Sequence, residues 1–302
     1  MNGILIVDKP SGITSSGAVG FVRRRLPKKT AIGHGGTLDP DATGVLPILI
    51  GSATRLFDYM IDKQKRYLAE IQLGSETDTQ DASGSVVRQS PVTVGKEDLR
   101  RAAQPLVGEI LQVPPMYSAV KRNGRRLYQL ARKGEEIAVE PRKCTVFSIE
   151  IGEKTGENRY KMDVLCGKGV YIRTLCHDLG RSLGCGAHMA SLRRTRAGAF
   201  SLEDAHTLEE IDALAQAGTL EAALIPPDRV VLHLEAARVP AARAHAVKNG
   251  NPLKPEWLGW DTAAPEAGRA VRVYLEDDFA GIGEVQPGGS VRFRCMLFSG
   301  EQ

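Results

Sequence analysis

Residues 33–47 read Gly33-His34-Gly35-Gly36-Thr37-Leu38-Asp39-Pro40-Asp41-Ala42-Thr43-Gly44-Val45-Leu46-Pro47, with four glycines and two prolines in fifteen positions. Glycine permits positive φ and close backbone approach. Proline fixes φ near −65° and removes a donor. A segment that mixes the two is a shaped loop, and it presents Asp39 between Leu38 and Pro40. From pattern alone two readings stand: a structural turn closed by Asx-type hydrogen bonds, or a loop that holds a carboxylate against a ligand. The glycines do not form a phosphate cradle, since neither GxxxxGK[ST] nor a GxGxxG between strand and helix occurs.

Upstream, the apolar run Ile4 to Val7 predicts a strand that ends at the turn Asp8-Lys9-Pro10-Ser11-Gly12. Thr14-Ser15-Ser16 can cap a helix through Ala18, Val19, Phe21 and Val22, whose end is basic: Arg23, Arg24, Arg25, Lys28 and Lys29. Downstream, Lys65 to Leu73 alternates like a strand, and 74–84 reads as a polar turn with Glu76, Asp78 and Asp81. Lys96 to Leu106 reads as a helix with Thr93 as a possible cap. Strands follow at Val146–Ile151 and Arg159–Cys166. Ile172 to Leu183 reads as a helix, and 202–223 holds at least one more. Ile225-Pro226-Pro227 looks like a linker. The strand-like runs beyond it, Ala270–Leu275 and Val291–Phe298, predict a small β-rich domain.

The chain has 302 residues, 42% hydrophobic and 25% charged, as in a soluble globular protein. It has no run of 18 apolar residues, and Met1 to Asp8 lacks the shape of a signal peptide, so a cytoplasmic location is the expectation. Five cysteines without a CxxC spacing argue for free thiols, against both a disulfide framework and a zinc site. Cys176-His177-Asp178 is no catalytic triad, because adjacent helical side chains point apart. Charge is divided. Residues 1–202 hold 31 Lys/Arg against 20 Asp/Glu, and residues 203–302 hold nine against 16. That asymmetry suggests a polyanionic partner for the first part.

The run GHGGTLDPDATGVLP resembles the signature of the TruB family of pseudouridine synthases. Other segments resemble that family in the same order. They are Gly3 to Pro10, Lys65-Arg66-Tyr67, the acidic turn Thr77 to Gly84, the segment Gln112 to Lys121 around Pro114-Pro115, and Gly169 to Leu175 with its Tyr171-Ile172-Arg173. The resemblance covers about residues 1–225. The C-terminal part, with Lys248 to Pro252 and Gly281 to Val285, resembles a PUA RNA-binding domain.

The resemblance implies an α+β fold with a mixed, mostly antiparallel sheet and flanking helices over 1–225, then a PUA-like domain over 228–302. It implies conversion of a T-loop uridine of tRNA, position 55, to pseudouridine by base flipping, cleavage of the glycosidic bond and reattachment through C5. No cofactor or metal is required for that chemistry. Asp39 is implied as the catalytic carboxylate, kept ionised by Arg173, with Tyr67 stacked on the flipped base. His34, Tyr171, Leu192, Lys9 and Pro10 are implied around the substrate or the Asp39 loop. The basic insertion at about 114–143, with Lys121, Arg122, Arg125 and Arg126, is expected to clamp the T arm. Arg193, Arg194 and Arg196 are further phosphate-contact candidates. A monomer needing no protein partner is expected. Two alternatives are a guide-RNA-dependent catalytic subunit and an RNA-binding or RNA-folding module without catalysis. The charge division also leads us to expect that a chain ending near Ile225 stays folded.

Overall fold

Two kinds of strand build the central sheet. Gly3–Lys9 and Thr43–Ile50 are buried along nearly their whole length. Lys65–Leu73 and Arg159–Cys166 alternate buried and more open residues. The first pattern belongs to strands covered on both faces, the second to strands with one face on the core. The computed structural model describes residues 1–61, 64–118, 121–122, 125–131, 135 and 137–298, the side chains at positions 61, 121, 122, 125, 126 and 128 excepted.

The sheet runs in the order Gly3–Lys9, Thr43–Ile50, Ala187–Ala197, Lys65–Leu73, Arg159–Cys166, Arg142–Gly156, Gly108–Gln112, with Ile32–His34 and Phe200–Ser201 attached. Thr43–Ile50 and Ala187–Ala197 run parallel. The other pairs are antiparallel. Helices Ser15–Arg23, Lys96–Ala103, Ile172–Ser182 and Leu208–Gln216 cover one face, where Leu5, Val7, Ile48, Ala69, Val164, Leu175 and Ile211 share a core. On the opposite face Ile4, Ile6, Val45 and Leu49 pack with Val230, Val231, Ile282 and Leu297 from the C-terminal part. There a second sheet runs Gly259–Trp260, Glu235–Val239, Ala270–Leu275, Asp278–Val285, Val291–Met296, around a core of its own. The architecture is α+β with a separate β-rich C-terminal sheet.

Two expectations need correction, and one central strand carries no pattern that predicts it. The helix at Lys96–Ala103 is capped at Gly95, whose N–H donates to Asp98 Oδ2 at 2.8 Å, and not at Thr93. Ile225 does not float in a linker: its N–H and carbonyl exchange two 2.9 Å hydrogen bonds with Ile4. The strand Ala187–Ala197 lies at the centre of the sheet although it carries three arginines and shows no apolar alternation. Within the basic segment, Lys121–Arg122 pairs with Arg125–Arg126 ahead of a short helix, Leu127–Ala131. The side chains of Lys121, Arg122, Arg125 and Arg126, expected to meet RNA, lie outside the described residues.

Candidate active site

The Asp39 loop is tied down from three sides. Ser15 Oγ donates to Leu38 O at 3.0 Å and accepts from Leu38 N at 2.8 Å, so one buried hydroxyl satisfies both backbone groups beside Asp39. Lys9 is fully buried, and its Nζ donates to Pro10 O, Ile13 O and Pro40 O at 2.7–2.8 Å. Burial lowers the Lys9 pKa to about 8 against the pull of Asp41 and Asp39. Its three carbonyl acceptors nevertheless match the three donors of the charged form. The third tie is Arg194, 1% exposed, whose Nε donates to Val45 O at 2.7 Å, Nη2 to Gly36 O at 3.1 Å and Nη1 to Thr37 O at 3.4 Å. Gly44 pairs with Arg194 at φ +100°, and a Cβ there would stand 2.2 Å from the Arg194 carbonyl, so only glycine fits.

Arg194 is therefore not a phosphate contact. Its guanidinium is spent on the two flanks of the Asp39 loop, and burial keeps it from RNA. Arg193, the preceding residue, faces the other way, as strand periodicity demands. Its side chain is 39% exposed and reaches Asp8 Oδ2 at 2.7 Å.

Asp39 opens onto a cleft of about 1570 Å³. Its side chain is 37% exposed, whereas that of Arg173 is 5% exposed. Arg173 Nε lies 3.1 Å from Asp39 Oδ2, and Nη2 lies 3.3 Å from Oδ1. The same guanidinium reaches Asp81 Oδ2 at 3.2 Å and Thr79 O at 3.3 Å through Nη1, and Tyr117 O at 2.9 Å through Nη2. Asp81 is itself fixed by Thr79 Oγ1 at 2.7 Å and by the N–H and hydroxyl of Ser83. Burial pushes the Asp39 carboxyl above the usual carboxylate range. Arg173 pulls it down and Asp81 pushes it up. Arg173 thus limits the cost of burial without cancelling it.

His34, Leu192, Arg193, Asp41, Tyr117 and Ser118 also line the cleft. Tyr67 does not line the open wall: it is 8% exposed, within the core. Burial raises its phenol pKa while the adjoining Arg194 lowers it. Tyr171 is half-buried, immediately before the helix that carries Arg173, and burial raises its phenol pKa too. Two residues lie in segments that resemble the family, yet the sequence assigns neither of them a role. Asp81 was read only as part of an acidic turn. Gln112, 2% exposed, accepts from Tyr171 N at 2.7 Å and donates to Tyr171 O at 3.0 Å, fixing the chain just ahead of Arg173. A lone glutamine at a strand end gave no local signal for this. Among the described residues no three His, Cys, Asp or Glu side chains gather as a metal site.

The family model for the N-terminal domain of TruB pseudouridylate synthases matches residues 23–172, and the model for the tRNA pseudouridylate synthase B C-terminal domain matches 173–237. A relative named tRNA pseudouridine synthase B, from Alkaliphilus oremlandii, is 46% identical over 95% of this chain and 94% of its own. The chain belongs to the TruB family of pseudouridine synthases. A second relative of that name, from Azoarcus sp., is 43% identical over 98% of this chain and 95% of its own. Among solved structures, an H/ACA RNP bound to a substrate RNA containing 2′-deoxyuridine matches with a TM-score of 0.74 at 26% identity, over 99% of this chain and 86% of that one. A Cbf5-Nop10-Gar1 complex matches at 0.73 and 28%, over 98% and 85%. The TruB models meet between Ile172 and Arg173, so the site takes Asp39 from one matched part and Arg173 from the other.

Proposed function

We propose that this chain converts the uridine at position 55, in the T loop of tRNA, to pseudouridine, with Asp39 as its catalytic carboxylate. The observation that carries the reading is the Asp39–Arg173 pair, set side-on at the wall of a cleft wide enough for a flipped nucleotide. The C1′–N1 bond breaks, the uracil turns, and a C1′–C5 bond forms. The C5 proton is lost and N1 gains one, so composition is unchanged. Attack at C1′, addition at uracil C6 and removal of the 2′ proton are three roles open to Asp39, and each requires it ionised. Arg173 supplies the charge that favours that state.

Flipping the base costs about a few kcal/mol, and stacking on an aromatic ring returns roughly 1–3 kcal/mol. Tyr67 takes the stacking role in this reading. Because it is buried beneath the loop, the uracil must seat deeper than the open cleft. His34 braces the space the base leaves, Tyr171 and Leu192 complete the wall, and Lys9 and Pro10 support the loop. The insertion around 114–143 closes on the T arm, with Arg193 at the cleft edge. The C-terminal sheet serves as a PUA-like module.

The test is a transcript tRNA incubated with the lone protein, with pseudouridine mapped by carbodiimide modification and primer extension. Modification at position 55 that disappears in Asp39→Asn is the expected result. Modification that needs an added guide RNA supports the guide-dependent alternative. RNA binding without any modification leaves only a binding module.

A further inference from the structure

We propose that the exposed cations Arg23, Arg24, Lys28 and Lys29 form a phosphate-binding surface for the RNA stem whose loop enters the cleft. The inference rests on the tRNA reading above. From position 9 to position 38 the chain holds six Lys/Arg and no Asp or Glu. Two of the six are used inside the protein. Lys9 holds the carbonyls of the Asp39 loop. Arg25 pairs with Asp212 at 2.5 Å, donates to Phe21 O at 2.8 Å and lies 3.4 Å over the Phe21 ring. Asp212 is in turn bonded by Gln216 at 2.9 Å. The other four are exposed, and none forms an ion pair with a described residue, although Arg24 also lies 6.0 Å from the centre of the Phe21 ring.

Their place follows from the helix that carries them. Helix Ser15–Arg23 begins at the cleft, where Ser15 and Ser16 line the wall. At 1.5 Å per residue its far end lies about 12 Å away. The chain then turns at Pro27, whose carbonyl accepts from Thr30 N at 3.2 Å and Thr30 Oγ1 at 2.7 Å, with Lys29 at φ 68°. Lys28 and Lys29 are thereby held beside the helix end.

The cleft itself is a poor phosphate site. Five carboxylates line it (Asp39, Asp41, Glu70, Asp78 and Asp81), against Lys161, Arg173 and Arg193. A polyanion that sends one nucleotide into that cleft must find its counter-charge outside it. Four cations within seven positions, with no acid among them, repel one another unless a polyanion neutralises them. None of the exposed large apolar side chains lies between residues 9 and 38, so the patch lacks the apolar face that would seat it in a membrane surface.

The test uses the full chain with all four cations changed to Gln, and a second variant with all four changed to Glu. Affinity is measured against salt for full-length tRNA and for a T-arm hairpin whose stem ends before the patch. The Gln variant is expected to bind tRNA about tenfold more weakly or worse near 0.1 M salt, with the slope of log K on log salt reduced by about three, at about 0.9 per phosphate. The Glu variant binds more weakly still. Binding and modification of the short hairpin stay at the wild-type level for both. An unchanged slope on tRNA overturns the proposal, and so does an equal loss on the short hairpin. If the wild-type chain modifies neither RNA, the tRNA reading fails instead, and the slopes still report on the patch separately.

Discussion

Arg173 meets Asp39 side-on, with Nε 3.1 Å from Oδ2 and Nη2 3.3 Å from Oδ1, and it does so while Nη1 holds Asp81 Oδ2 at 3.2 Å. A planar fork can serve two carboxylates from two edges, whereas a lysine ammonium, as a point charge, cannot. Arg173→Lys is therefore expected to lose about 10²-fold or more in kcat, since misplacing a catalytic group by about 1 Å costs that much. Asp81→Asn leaves the Asp39 contacts but frees the other edge of the fork, and a smaller loss, about tenfold or more, is expected. Single-turnover rates on saturating tRNA separate these effects from binding. A wild-type rate in Arg173→Lys would show that the fork is not needed.

The acid side of the rate profile follows from the raised Asp39 pKa. In the proposed reaction Asp39 acts in its ionised form, so the rate falls as pH drops through the folded-state value. That fall is expected at higher pH than an ordinary aspartate would give. Arg173→Gln removes the charge that lowers the pKa, so the residual activity should fall off at still higher pH. Stability carries the opposite sign. A carboxyl whose folded pKa lies above its unfolded value destabilises the fold once ionised, and the penalty is relieved as pH falls through the folded pKa. Asp39→Asn should accordingly raise Tm at neutral pH while abolishing turnover. Arg173 keeps Asp81, Thr79 O and Tyr117 O as partners in that variant. A Tm lowered by Asp39→Asn would contradict this balance.

Arg194 separates loop support from RNA contact. Arg194→Met keeps bulk but strands the carbonyls of Gly36, Thr37 and Val45. We expect a loss of roughly 2–4 kcal/mol in stability from the unsatisfied acceptors, with a matching fall in Tm and in rate. The salt slope of tRNA binding should stay unchanged, because a residue 1% exposed releases no counterion. A slope reduced by about one would mean that Arg194 reaches a phosphate after all.

The same residue shows where sequence reading stops. The strand at 3–9 was legible because its apolar run contains little else, and Lys65–Leu73 because it alternates, whereas Gly44 and Pro47 make 43–47 read as loop although it opens the strand Thr43–Ile50. Ala187–Ala197 carries Arg193, Arg194 and Arg196, and cationic strands read as surface. Its centrality is set by partners over a hundred residues away, Val45 O and Tyr67 among them. Asp39 was marked by the glycines and prolines that shape its loop. Asp81 and Gln112 carried no comparable mark. Their roles arise only when the turn at 77–84 and the strand end at 112 are brought to the helix that starts at Ile172. The linker at 225–227 misled for a related reason. Proline ends a helix or strand, but it does not report whether the next segment packs back on what came before.

That packing reverses the expectation for a shortened chain. Ile4, Ile6, Val45 and Leu49 are at most 1% exposed, and their cover includes Val230, Val231, Ile282 and Leu297, all from beyond Ile225. The contact is also polar: Arg55 Nη1 donates to Met296 O at 2.6 Å, and Cys295 Sγ to Arg55 O at 3.6 Å. Burying one such aliphatic side chain contributes about 1.5–3 kcal/mol. Losing four of them removes roughly 6–12 kcal/mol as an upper bound, comparable with the whole stability of a typical domain at about 5–15 kcal/mol. Truncation after Ile225 also opens a continuous apolar face of the kind that drives association. We therefore expect that chain to aggregate or to melt far below the full-length protein, and any loss of RNA binding to follow from unfolding. Val231→Asp in the full chain should show the same weakness in milder form, because it buries an unpaired charge in the shared core. Gel filtration and thermal melts by circular dichroism decide it: a monomeric truncated chain with a full-length Tm would show that the two sheets stand independently.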